Sequence, residues 1–207
     1  MDGVFIYWDN SNIFIGAQDV AVDREGEAAR SRVRIHFPNM LKLAHAGRTV
    51  RRAVAAGSVP PELRSVWNRL ENSGVEVKLL ERGTLYGREQ GVDQILQTEM
   101  LRDGFDNNGD PGTVVMLTGD GAGFLDGVGF HADLSRMQKR GWRIEVVSWK
   151  YSCNRRMREW AEQYGVFVAL DDFYDSITFL EHPRQGDPIG DPRLSVSMDL
   201  SKRQLAD

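Results

Sequence analysis

One cysteine, Cys153, stands in 207 residues. No intrachain disulfide can form, and a cytoplasmic location is the expectation. Zinc spacing is missing too, because His36, His45, His131 and His182 are scattered and Cys153 is alone. No apolar run approaches the length that spans a bilayer, so no membrane partner is expected. Residues 1–10 lack the basic stretch of a secretory leader. Positive charge is not in excess either. The formal net charge is −4, which argues against a protein held on nucleic acid by bulk electrostatics. A nuclease stays open. A local basic strip can hold a substrate, and an acidic cluster no longer repels phosphate once a cation fills it. There is no P-loop, internal repeat or low-complexity segment.

What is present is an alternation. Val4 to Trp8 is a short apolar run that stops at Asp9-Asn10-Ser11-Asn12, which reads as a buried strand, a cap and a helix. Residues 21–34, charged and small, read as a loop or polar insertion. Further strands are expected over Thr49–Ala56, Val75–Leu80, Val114–Leu117, Ile144–Val147 and Val166–Val168. Helices are expected over Phe37–His45, from Pro60 through Leu70, from Gly91 through Leu101, around Leu134–Met137 and over Asn154–Tyr164. Strands alternating with helices predict an α/β fold with a mostly parallel central sheet and helices on both faces. The expected domain is residues 1–182. Residues 183–207, rich in Pro, Gly, Asp, Ser and Arg, read as a polar tail that is flexible or docks on a partner.

Ligands of such sheets sit beyond the carboxyl ends of the strands. Asp9 and Asp120 each follow a strand, and Asp93 is expected in the first turn of a helix. Each has a plain reading on its own: an N-cap, a dipole partner, a turn residue. Together, three carboxylates in one crevice repel each other unless a cation sits among them, and oxygen ligands suit Mg²⁺ or Mn²⁺ better than zinc. Glu99 lies six residues after Asp93, about 240° around a helix. It can reach such a site only from the flank.

Three segments carry a resemblance: Asp9-Asn10-Ser11-Asn12-Ile13, Gly91 through Leu101, and Leu117-Thr118-Gly119-Asp120-Gly121. In order and spacing they resemble the NYN domain, in the LabA-like branch of the PIN-like ribonuclease superfamily. Leu170 through Ile177 looks like the end of such domains. The resemblance implies a Rossmann-like three-layer α/β/α sandwich, a divalent-metal pocket and cleavage of RNA. By position, Asp9, Asp93 and Asp120 match the metal-binding acids, Asn12 the site asparagine and Glu99 the second acidic position on the helix. Two departures stand out. Ala122 occupies the place of a further Asp, with Asp126 nearby but out of register, and Gln90 replaces a frequent Lys.

The expected chemistry is metal-dependent hydrolysis of a phosphodiester, with Asn12 positioning the water or the phosphate. Ser11, Arg82, Arg88, Arg155 and Arg156 are candidate substrate contacts, and the basic residues near Trp149-Lys150-Tyr151 suit single-stranded RNA. Arg30, Arg32 and Arg34 form another strip. A homo-oligomer is compatible with the sequence. The competing reading is a catalytically weak or inactive NYN-like module that binds RNA or a protein. An aspartyl phosphatase fits less well, because Ser11 stands where the general acid would be. A dinucleotide fold fails at Phe124, where the third glycine belongs.

Overall fold

In the computed structural model the described residues are 3–59, 64–81, 88–107, 111–119, 121–122, 124–181 and 191–207. Six parallel strands form the central sheet: β1 (Val4–Asp9), β3 (Val50–Val59), β4 (Glu76–Glu81), β5 (Thr113–Leu117), β6 (Arg143–Ser148) and β7 (Val166–Ala169). Their order across the sheet is β4-β3-β1-β5-β6-β7. The central strands are continuous apolar runs because both faces are covered. Val4, Ile6 and Trp8 of β1 enter one core, and Phe5 and Tyr7 enter the other. The first core is roofed by α1 (Asn10–Glu25), α2 (Phe37–His45), α3 (Arg64–Glu71) and the short α7 (Tyr174–Ile177). The second is roofed by α4 (Arg88–Asp106), α5 (Gly129–Gln138) and α6 (Arg155–Tyr164). This is the three-layer α/β/α sandwich. A two-stranded antiparallel ribbon of β2 (Val33–Ile35) and β8 (Thr178–Leu180) stands beside it.

Three elements depart from the sequence reading. Residues 21–34 are not one polar insertion. Helix α1 runs on to Glu25 and ends at Gly26, whose φ of 89° no β-carbon would tolerate well. Besides Ile13 and Val20 the helix buries only small residues, Gly16, Ala17 and Ala21, so no wide apolar stripe announces it. Helix α4 starts at Arg88 rather than Gly91, so Asp93 stands in its second turn. The dipole of the first turn is therefore a weaker account of Asp93.

The third departure is the tail. Of residues 183–207, expected to be flexible or to dock on a partner, 191–207 lie against their own domain, and 183–190 lie outside the described residues. Met198 and Arg203 are both 7% exposed. Arg203 Nε donates to the Leu43 carbonyl at 2.9 Å, and its guanidinium pairs with Glu145 of β6. Glu145 is wholly buried. It also accepts both terminal nitrogens of Arg48 at 2.7 Å and the Ala206 N–H at 2.9 Å. A carboxylate with no access to water must be neutralised by partners of this kind. Burial alone would raise the pKa of Glu145, yet Arg48, Arg203 and the Ala206 N–H hold it below the usual carboxylate range. Among the described residues, no helix is long and apolar enough to cross a membrane.

Candidate active site at the β1–β5 crevice

After β1 the chain turns toward β3 and β4, whereas after β5 it turns toward β6 and β7. The two connections diverge beyond the carboxyl ends of neighbouring strands, and a crevice opens between them. Ligand sites of open α/β sheets form at this kind of switch point.

Asp9 ends β1 and is 3% exposed. Its Oδ1 accepts the Asn12 N–H at 3.1 Å, so it caps α1, and its Oδ2 accepts the Thr118 hydroxyl at 3.2 Å. The cap and the site are therefore compatible roles of one carboxylate. Both of these donors are neutral, and they help to orient the carboxylate. Asn12 Oδ1 accepts the Gly119 N–H at 3.2 Å and ties α1 to the β5 loop. Its amide NH₂ makes no contact with the described residues.

The β5 loop is clamped from both sides. The Gly119 carbonyl accepts the Asn154 N–H at 2.8 Å. A β-carbon on Gly119 would sit 2.8 Å from Asn12 Oδ1 and 3.0 Å from the Ser152 carbonyl. One on Gly121 would sit 2.8 Å from Asn154 Cγ. Both glycines are thus set by close approach. Asn154 also caps α6, its Oδ1 accepting the N–H groups of Arg156 and Met157 at 3.0 and 3.3 Å. Beyond the loop, Phe124 stacks on His131 with ring centroids 3.8 Å apart. Burial lowers the His131 pKa, so this ring packs as a neutral group. Asp120, between the clamped glycines, lies outside the described residues, as does Arg82. Of Arg88 only the backbone is described.

Helix α4 packs across β1, β3 and β4 and carries Asp93. Glu99 turns to another face of that helix. It accepts Arg52 Nη2 at 2.5 Å and Arg102 Nη1 at 3.3 Å. Arg52 also pairs with Glu76 and Asp103, and Asp103 accepts the Tyr7 hydroxyl at 2.6 Å. Glu99 is drawn into this cluster because Arg52 of β3 faces the same side of α4. Among the described residues no three His, Cys, Asp or Glu side chains gather in a way that could hold an ion. Asp9, Asp93 and Glu99 do not form such a group by themselves. The donor set fits a hard cation. Asp9 brings buried oxygen, and the neighbouring Asn10 Oδ1 is buried with no hydrogen-bond donor.

The basic candidates divide. Arg155 is paired with Glu159 at 2.7 Å on an exposed helix face. Arg156 is exposed, and its guanidinium has no partner among the described residues. Arg30 pairs with Asp19 and Arg34 with Glu181, and Arg32 donates to the Glu181 carbonyl. Trp149 is a core residue whose indole N–H donates to the Ile13 carbonyl at 2.8 Å. Tyr151 is 92% exposed. Burial pushes the Cys153 thiol up to about 11, which leaves it inert as a nucleophile. Ser11 makes no side-chain contact among the described residues. Thr118, Ser152 and Asn154 were not marked by sequence reasoning. Thr118 stands inside a recognised motif, but nothing in spacing reveals that its hydroxyl meets a carboxylate 109 residues away.

No curated protein matches the chain. The fold is similar to the crystal structure of a Vibrio parahaemolyticus RIMD 2210633 protein of unknown function. That likeness has a TM-score of 0.58 at 17% identity and covers 83% of this chain and 94% of that one. At this identity it speaks for the fold alone. Residues 3–166 match the NYN domain family, and with most of its length inside that match, the chain belongs to the NYN domain family, a nuclease-like group within the PIN-like superfamily.

Proposed function

We propose that this NYN domain is a metal-dependent ribonuclease. The observation that carries the reading is Asp9, a buried carboxylate at the strand switch point, oriented by Thr118 and Asn12 in a chain of a nuclease-like family. Asp9, Asp93 and Asp120 would hold Mg²⁺ or Mn²⁺, with Glu99 outside the ligand set as long as Arg52 engages it. The bound ion would activate water and offset charge on the phosphate oxygens. Asn12 keeps its carbonyl oxygen on Gly119 and turns its free NH₂ to the water or the scissile phosphate. Thr118 holds the orientation of Asp9. Arg156 and the exposed Tyr151 supply a cation and a stacking face for single-stranded RNA. Ser11, Arg82, Arg88 and Arg155 complete the proposed backbone contacts. A lone buried thiol suits the reducing cytoplasm.

The test is cleavage of a labelled single-stranded RNA in Mn²⁺, with and without EDTA. Asp9→Asn and Asp120→Asn should each lower the rate at least 100-fold at unchanged melting temperature. The second reading, an RNA-binding module without catalysis, is favoured by Ala122 at the place of a further acid. It wins if purified protein binds RNA in Mn²⁺ and leaves it intact.

A further inference from the structure

Beside the crevice is a second cavity, of which the proposed function uses only the rim residue Tyr151. It measures about 280 Å³ and lies between α1, the β6–α6 connection and Asp171. That volume is just below the roughly 300–1,000 Å³ typical of small-molecule sites. It suits a single planar ring system. Gly16 forms its inner wall, four residues and so about 6 Å along α1 from Asn12. Ser152 lies at the junction, because its carbonyl abuts Gly119 and its hydroxyl faces Gly16. A β-carbon on Gly16 would stand 2.3 Å from the Trp149 ring and 2.7 Å from Ser152 Oγ. The cavity and the crevice therefore share a wall.

Three features give the cavity a ligand chemistry. Ser152 Oγ is buried and has no hydrogen-bond partner. Tyr151, on the rim, is 92% exposed, although an aromatic ring in water gains from any stacking partner. Three carboxylates and one cation, Arg24, line the walls. Arg24 Nη2 donates to the Asp171 carbonyl at 2.8 Å, and the carboxylates are not equivalent. Asp19 gives Oδ1 to Arg30 at 2.9 Å, and Asp171 gives Oδ2 to the Lys150 N–H at 2.7 Å. Asp23 makes no hydrogen bond or ion pair with the described residues, so both of its oxygens are available.

We infer that this cavity is a base-recognition subsite selective for guanine. The inference rests on the reading of the crevice as an RNA site. A carboxylate offers acceptors side by side and no donor. Of the four bases, only guanine has adjacent donors, N1–H and N2–H, on its Watson–Crick edge. Adenine and cytosine each set one donor group beside an acceptor, and uracil sets one donor between two carbonyls. Asp23 supplies the bidentate acceptor, Tyr151 the stacking face, and Ser152 Oγ a donor for a ring nitrogen or carbonyl. Three carboxylates against the single cation Arg24 leave the lining net negative, which repels phosphate, so the base enters while the backbone stays outside.

The test is fluorescence anisotropy with labelled heptamers of uridine that carry G, A, C or inosine at the centre, in EDTA so that no bond is cut. The G heptamer should bind at least fivefold tighter than the A, C and all-U heptamers. Inosine, which lacks the N2 amine, should lose most of that advantage. Asp23→Asn should abolish the preference, and Tyr151→Ala should weaken G binding roughly 5- to 100-fold. Both positions are exposed, so the variants should melt like wild type. Equal binding of G and A, a preference that survives Asp23→Asn, or failure to bind any heptamer overturns the subsite. Cleavage of the same heptamers in Mn²⁺ separates the two readings. Cutting without base preference keeps the nuclease and removes the subsite. A guanine preference lost in Asp23→Asn, without cutting, keeps the subsite and removes the nuclease.

Discussion

Replacing Arg203 with alanine removes one of two guanidinium groups that neutralise Glu145. The substitution loses a charge-assisted hydrogen bond, about 1.5–3 kcal/mol, and the bond to the Leu43 carbonyl, about 1 kcal/mol. Arg48 still holds both oxygens of Glu145 at 2.7 Å. The cost should therefore stay below the ~5 kcal/mol upper range for an orphaned buried charge. About 3 kcal/mol is expected. At roughly 2–4 °C per kcal/mol for a chain of this size, the melting temperature should fall by about 6–12 °C. Arg48→Ala combined with Arg203→Ala should cost more than the sum of the two, because Glu145 then has no cation at all. The effect depends on pH in a definite direction. The folded-state pKa of Glu145 is depressed, so its contribution is fully present above the ordinary carboxylate pKa and is lost as pH falls through the folded value. The gap between wild type and Arg203→Ala, followed by circular dichroism, should persist from pH 5 to 8 and close in stronger acid. A shift under about 2 °C at pH 7 would refute the docked tail.

Three more expectations follow from the crevice. Thr118→Val keeps the shape of the side chain but removes the donor to Asp9. Mn²⁺ affinity by calorimetry should drop about 10- to 100-fold, and unchanged affinity would separate Thr118 from the metal site. Gly119→Ala forces a β-carbon against Asn12 and Ser152, so RNA cleavage should fall at least tenfold while stability falls by about 1–3 kcal/mol. Wild-type rates in that variant would mean the clamp is dispensable. Cys153, with its thiol pushed up to about 11, should resist iodoacetamide at pH 8 in the folded protein and react only in denaturant. Rapid native labelling would contradict its burial.

Much of this protein is legible along the chain. The six strands of the central sheet follow from short apolar runs, since a strand covered on both faces needs nothing else, whereas the β2–β8 ribbon was not anticipated. Asp9 at the end of β1 and Thr118-Gly119 after β5 could be placed on one rim in advance, because parallel strands put their carboxyl ends there. The family was recognisable for a similar reason: its motifs are local and keep their order. What tertiary structure decided is where each charge goes. Glu99 pairs with Arg52, residues 191–207 close on Glu145, and α1 extends to Glu25. The Asp9–Thr118 bond and the Asn154 clamp on Gly119 also belong to the folded state. In each case the partners are distant in sequence, and spacing along the chain carries no record of which side chains share a low-dielectric space. Hydrophobic pattern is written locally, whereas the pairing of charges and hydrogen bonds is settled only when the layers meet.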